Sequence, residues 1–187
     1  MLFRSLVIPR PIGWISTVSS AGVLNLAPYS FFNALSASPP LVAASIGFRR
    51  GAPKDTLANI RETSVFAVNI CSEELLEAMN ATSGEYEASV NEFEVAGLTA
   101  EAGQATPAPV VGEAPVVLEC EFFKEVELGE APNVLVIGEV KAIRLSRELV
   151  LDPGTWAVDP TSLRAVGRLG ADQYAFLREI IKLPRPR

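Results

Sequence analysis

The chain has 187 residues, enough for one medium domain with a substantial core, and 49% of them are apolar. Its net charge of −6 argues against a nucleic-acid protein, whose affinity rests on a basic surface, and no apolar run reaches the roughly 18 residues needed to cross a bilayer. Histidine is absent and cysteine occurs only at Cys71 and Cys120, which removes Ser-His-Asp and Cys-His catalysis, histidine metal sites and a structural zinc site.

The N-terminus MLFRSLVIPRPIGW is apolar but interrupted by Arg4, Pro9, Arg10 and Pro11, and it lacks the h-region and small-residue cleavage site of a signal peptide. Residues 12–18 and 23–27 flank the turn Ser19-Ser20-Ala21-Gly22 and predict a hairpin. Next comes Tyr29-Ser30-Phe31-Phe32-Asn33, a mixture of aromatics and small polar groups that a plain core strand does not need. It reads either as core aromatics with turn-satisfying Ser30 and Asn33, or as a platform for a flat ring with apolar walls and polar edge contacts. Residues 41–46, between Pro39-Pro40 and Gly47, predict a short buried strand.

Arg49, Arg50, Lys54 and Arg61 then fall within thirteen residues, where an even spread of the 16 cations would put about one. The segment leads into a predicted helix that ends near residue 62 and is capped by Asp55 or Thr56. Backbone N–H groups, the Thr56 hydroxyl and nearby cations make a phosphate receptor; the alternative is a solvated basic loop before a capped helix. It is not a Walker A loop, because Asp55 follows the lysine and the glycine spacing differs.

Residues 65–70 predict another buried strand. Ser72 is placed to cap a helix through residue 79, with Glu73 and Glu74 in its first turn. Residues 90–96 predict a third helix, stopped by Gly97. The stretch AEAGQATPAPVVGEAP, residues 100–115, reads as a surface loop. Val116, Leu118, Cys120, Phe122, Val126 and Leu128 then occupy alternate positions, with Glu119, Glu121, Glu125 and Glu127 between them; this predicts a strand with one buried face and its carboxylates in water. The loop GEAPN leads to a partner strand over 134–140, and YAFLREIIKL, residues 174–183, predicts a last helix. No repeat or linker divides the chain, so one domain spans 1–187. Its elements predict a closed or partly closed β-barrel with helical additions.

A ring platform and a phosphate receptor in one chain point to flavin mononucleotide, whose chemistry needs little acid–base help from a protein without histidine. GRLGADQY is not a dinucleotide fingerprint, because no strand precedes it and its spacing departs from G-x-G-x-x-G. Cys71 and Cys120, far apart in apolar segments, read as reduced thiols of a cytoplasmic protein.

PRPIGWISTVSSAGVLNLAPYSFFNALSASPPLVAASIG, followed by KDTLANIRETSVFAVNI, resembles the flavin reductase-like family of FMN-binding split barrels, which includes flavoredoxin. The resemblance continues in order through EAMNATS, VNEFEVAGLT, EAPVVLECEF, LVIGEV and RLGADQYA. It implies a six-stranded Greek-key split barrel that forms a homodimer, with FMN at or near the subunit interface. It places Tyr29, Ser30, Phe31, Phe32 and Asn33 beside the isoalloxazine, and Ser16 and Thr17 as a polar pair at a strand end. Lys54 and Thr56 would meet the phosphate, with Asp55 capping the helix. Ser45 and Gly47 would supply wall or backbone contacts, and Arg10 would either reach the phosphate or ribityl chain or fix the N-terminal arm. Relatives often carry a further N-terminal segment, and some shorter ones use a C-terminal histidine near the nicotinamide. Here Arg168 and Tyr174 stand in the nearest matching region, as candidates for ligand or subunit contact. The activity implied is an NAD(P)H-dependent flavin reductase; the alternatives are an FMN-bound electron carrier reduced by a protein partner and a flavin-binding module without turnover.

Overall fold

The computed structural model describes residues 2–129 and 133–186; residues 130–132 of the predicted GEAPN loop lie outside them. Strands β1 (Gly13–Val18) and β2 (Leu24–Tyr29) form the predicted hairpin, with Gly13 opposite Tyr29. Beyond it, β3 (Phe32–Ala37) pairs with β4 (Pro40–Arg49), so the aromatic run enters a strand that the sequence pattern did not announce. Strands β5 (Val65–Ile70), β6 (Val116–Leu128) and β7 (Asn133–Leu145) complete the main sheet. Its antiparallel order is β2-β1-β5-β6-β7-β4-β3, with Ala52–Pro53 adding a short pairing to β4. The two ends of this path, β2 and β3, are not hydrogen-bonded to each other. The protein is therefore mainly β, and its barrel is split rather than closed.

The sheet curls around two apolar clusters, which explains why β1 shows no clean alternation. Trp14 goes to one side, with Leu26, Met79, Phe93 and Val111, while Ile15 goes to the other, with Ile46, Phe66 and Val136. Both faces of the strand are buried, so both must be apolar or fully hydrogen-bonded. Gly13 is required by the next layer, because a Cβ there would lie 2.6 Å from the Phe32 ring. The helix α1 (Asp55–Thr63) docks through Leu57 and Ile60, one turn apart and both fully buried. Each such side chain contributes about 1.5–3 kcal/mol of burial, and together they fix where the N-terminus of α1 points.

Four expectations are corrected. Residues 100–115 are not a surface loop: Ala100–Ala102 pairs with Pro109–Val111, and Ala108, Val110 and Val111 are core. Buried polar groups hold them there. Asn69 donates to the Trp14 carbonyl and to Ser16 Oγ and accepts from the Val111 N–H, while Ser16 Oγ donates to the Pro109 carbonyl at 2.5 Å. Glu119, expected in water, is 2% exposed and accepts from the N–H groups of Gln104, Ala105 and Thr106 at 2.7–3.0 Å. Two register irregularities in the β6–β7 ladder break the predicted alternation, and beyond them Val126 and Leu128 are exposed. The segment 174–183 is not helical, and only Tyr174–Phe176 is regular, as a strand against Val166–Arg168. The adjoining β-branched Ile180 and Ile181, with Pro184 close behind, leave too short a run to pay for helix nucleation.

The predicted helix over 72–79 divides into a turn of 3₁₀ helix, Glu73–Leu75, and an α-helix, Leu76–Ala81; Ser72 makes no side-chain cap bond. The predicted helix over 90–96 is the shorter Glu92–Val95, capped by Asn91.

Burial pushes the Glu119 carboxyl up, but the three backbone N–H donors outweigh it and hold it below the usual carboxylate range. The folded state thus binds this proton less tightly than the unfolded chain. The stabilisation is complete above the ordinary Glu value of about 4.3 and is lost as pH falls through the depressed folded value. Glu119→Gln is expected to cost about 1–3 kcal/mol near neutrality and to lose less stability than the parent protein on acidification, as measured by urea unfolding across pH.

Candidate functional site

The N-terminus of α1 opens into a cleft of about 330 Å³ lined by Ala27, Pro28, Tyr29, Phe48, Lys54 and Thr56 on one side and by the Thr82–Tyr86 segment on another. Lys54 is the N-cap residue, and its side chain makes no cap bond; the expected capping by Asp55 or Thr56 is therefore corrected. Asp55 instead lies 3.8 Å from the Arg49 guanidinium, which also donates to the Tyr86 carbonyl at 2.9 Å. No side chain of the helix satisfies its first amides, which have no carbonyl one turn earlier. Lys54 is exposed, forms no ion pair among the described residues, and sits 5.8 Å from the Tyr29 ring centroid. Of the other cations in the basic segment, Arg61 is taken by a bidentate pair with Glu125, and Arg50 lies 4.0 Å from Glu85 at the surface.

The floor of the cleft is a chain of buried hydrogen bonds. Tyr29 donates through its hydroxyl to Thr56 Oγ1 at 2.9 Å, and Thr56 donates to Asn25 Oδ1 at 2.7 Å. Asn25 Nδ2 donates to Glu92 Oε1 at 3.0 Å, and Glu92 Oε2 accepts from the Leu26 N–H at 3.1 Å. A carboxylate only accepts, so Glu92 fixes the orientation of the Asn25 amide and thereby the direction of the whole chain. Thr17 joins from beneath, donating to Asn25 Oδ1 at 3.3 Å and accepting from Asn59. Burial raises the Tyr29 phenol and the Glu92 carboxyl, the bonds they make opposing it only partly.

Tyr29, Lys54, Asp55 and Thr56 are thus brought together in the cleft. Ser16 and Thr17 are not on its surface: both are fully buried, one tying the 109–111 strand to the sheet and the other bracing Asn25. The run after Tyr29 divides, with Phe32 turned onto Gly13 and the core while Phe31 and Asn33 are exposed. β4 joins this region to the cleft, for the Ser45 N–H donates to the Phe31 carbonyl at 2.8 Å and Phe48, three residues on, lines the cleft. Gly47 stands opposite Asn133, where a Cβ would lie 3.1 Å from Asn133 Oδ1. Arg10 fixes the N-terminal arm, donating to the carbonyls of Val7 and Leu169 at 2.8 Å.

Asn25 and Glu92 were not among the predicted site residues, and Arg49, read as one of the receptor's cations, is instead engaged by Asp55 and the Tyr86 carbonyl. Asn25 carried a signal, since an Asn inside an apolar strand requires a buried partner. Glu92 carried none.

The sequence pattern of the flavin reductase like domain matches residues 3–158. The chain is 41% identical to an uncharacterized protein of Aquifex aeolicus over 92% of this chain and 87% of that one. Its fold is similar to nitrilotriacetate monooxygenase component B from Bacillus cereus, with a TM-score of 0.92 and 32% identity, covering 97% of this chain and 91% of the other. It is also similar to 2-nitrobenzoate 2-nitroreductase from Pseudomonas fluorescens, with a TM-score of 0.89 and 30% identity, covering 99% and 89%.

Thr56→Val is expected to destabilise the fold by about 1–3 kcal/mol, because it leaves the buried Tyr29 hydroxyl without an acceptor. In urea unfolding, a second substitution, Tyr29→Phe, should recover part of that loss; simple additivity would contradict the chain of bonds.

Proposed function

The chain belongs to the flavin reductase-like family, and on that premise we propose that it binds FMN and catalyses its reduction by NAD(P)H. The observation that carries the reading is the convergence, in one cleft, of a lysine without an ion pair among the described residues, a helix N-terminus without its own cap, and the aromatic walls Tyr29 and Phe48. That donor set fits a phosphate monoester at one end and a flat apolar body beyond it.

Lys54 supplies the charge and the amides of Asp55 and Thr56 supply oriented donors, with the helix dipole adding to both. The Thr56 hydroxyl hydrogen is already committed to Asn25, so the residue contributes its backbone N–H rather than its side chain. Arg49 neutralises Asp55 and limits that carboxylate's repulsion of a phosphate. From the cleft, β4 leads through Phe48, Gly47 and Ser45 to Ser30, Phe31 and Asn33, which form the side toward which the flavin ring extends. When bound, FMN supplies the hydride chemistry; the protein holds, orients and shields it.

The reading includes a homodimer with the flavin near the subunit interface. It is supported by β3, an edge strand without charged residues whose side chains other than Phe32 are exposed; such an edge needs cover. The buried thiols Cys71 and Cys120, each pushed up to about 12 by burial, are inert structural groups compatible with the cytoplasm.

Steady NADH or NADPH oxidation on addition of FMN is expected of the purified protein. Lys54→Ala should weaken FMN roughly tenfold or more, since a charge-assisted hydrogen bond contributes about 1.5–3 kcal/mol, and should change riboflavin affinity much less. Equal losses for both flavins in fluorescence titrations would contradict the phosphate placement, and flavin reduction only by a protein donor would contradict the reductase.

A further inference from the structure

A second cationic centre lies outside the cleft. Arg10 and Arg168 stand directly opposite each other in the short antiparallel ladder between Arg10–Pro11 and Val166–Arg168. Like charges in that position repel, and neither forms an ion pair with a carboxylate among the described residues, although the chain has 22 acidic residues. Arg4 joins them, also without an ion pair among the described residues. Arg10 is 6% exposed, and its donors end on neutral oxygens, the carbonyls of Arg4, Val7 and Leu169, with Ser30 Oγ at 3.4 Å. Burial, then Arg168 and Arg4, lower its pKa, the signature of a cation short of countercharge.

The close packing of the N-terminal arm on this ladder keeps the repulsion in place. A Cβ on Gly167 would come within 2.9 Å of Pro9 Cβ, so the two segments meet at a contact that only glycine permits. Aromatic faces accompany the charges: the Arg4 and Arg10 guanidinium carbons lie 6.0 and 5.8 Å from the centroid of exposed Phe31, and that of Arg168 lies 4.5 Å from the Tyr174 ring. Clustered cations beside aromatic rings have the chemistry of a nucleotide site, phosphates to the first and a base or ribose against the second.

We infer that Arg4 and Arg168, backed by buried Arg10, receive the pyrophosphate of the pyridine dinucleotide donor, beside the Ser30–Asn33 run. The inference rests on the reductase reading, for it gives that reaction a place where its second substrate is held. Arg10 is a positioning group, while Arg4 and Arg168 make the contacts. The cleft at Lys54 would keep the flavin phosphate, so the two anions have separate receptors.

ADP-ribose, which carries the pyrophosphate without the nicotinamide, is the probe, and calorimetric titration reads its binding whether or not flavin is present. The parent protein should bind it. Arg168→Gln and Arg4→Gln should each weaken it about tenfold, Arg168→Lys should retain most of the affinity, and FMN affinity should stay within about twofold in all three. In turnover, the glutamine variants should raise KM for NAD(P)H and leave kcat nearly unchanged. Failure of ADP-ribose to bind the parent protein, unchanged affinity in both glutamine variants, or tighter retention of inorganic pyrophosphate than of ADP-ribose would overturn the inference. Loss of FMN affinity on a par with ADP-ribose would also overturn it, by assigning the cluster to flavin. Absence of FMN binding in the parent protein would instead defeat the reductase reading, and the two failures appear in separate titrations.

Discussion

Everything proposed for this protein depends on where one helix begins. Leu57 and Ile60 drive α1 into the apolar cluster between β1, β4 and β5, and this burial sets the position of the helix without setting its rotation or tilt. Rotation is fixed by the hydrogen-bond chain Tyr29–Thr56–Asn25–Glu92, whose direction follows from a carboxylate that can only accept. Because each buried polar group needs its partner, a slip of the helix would leave several unsatisfied at once. The free amides and Lys54 are thereby held at the mouth of the cleft.

The same economy recurs elsewhere. Asn69 and Ser16 fasten the 109–111 strand across β1 and β5, and Glu119 gathers the turn at Gln104–Thr106 through three backbone N–H groups. These segments are poor in regular structure, and a polar anchor at each end keeps them on the barrel. The arginine centre at the N-terminal arm breaks this pattern, since its charges find neutral carbonyls and aromatic rings rather than carboxylates. Arg10 still ties the N-terminal arm down, but the charge of the centre is left without an anion among the described residues, and that contrast is what makes it a candidate receptor.

Local signals made the hairpins and β5 legible, because strand periodicity and turn residues act over a few positions. Tyr29, Lys54 and Thr56 were legible as site candidates for the same reason: each lay in a short stretch whose composition was unusual for its surroundings. What escaped was set by distant partners. Glu119 looked like an outward carboxylate until a loop fifteen residues earlier supplied its donors. Ser16 and Thr17 carry the residue types of a ligand site, but β5, the 109–111 strand and α1 surround them and use their hydroxyls. Residues 174–183 had a helix-like pattern, and a neighbouring strand at 166–168 offered Tyr174–Phe176 a ladder instead.

The most direct test of the central claim is an anaerobic absorption spectrum of the protein reconstituted with FMN, recorded before and after NADH and then NADPH. The account predicts visible flavin bands that travel with the protein through gel filtration and bleach on addition of one of the two nucleotides. A protein that takes up no FMN, or whose bound flavin bleaches with neither nucleotide, would contradict it.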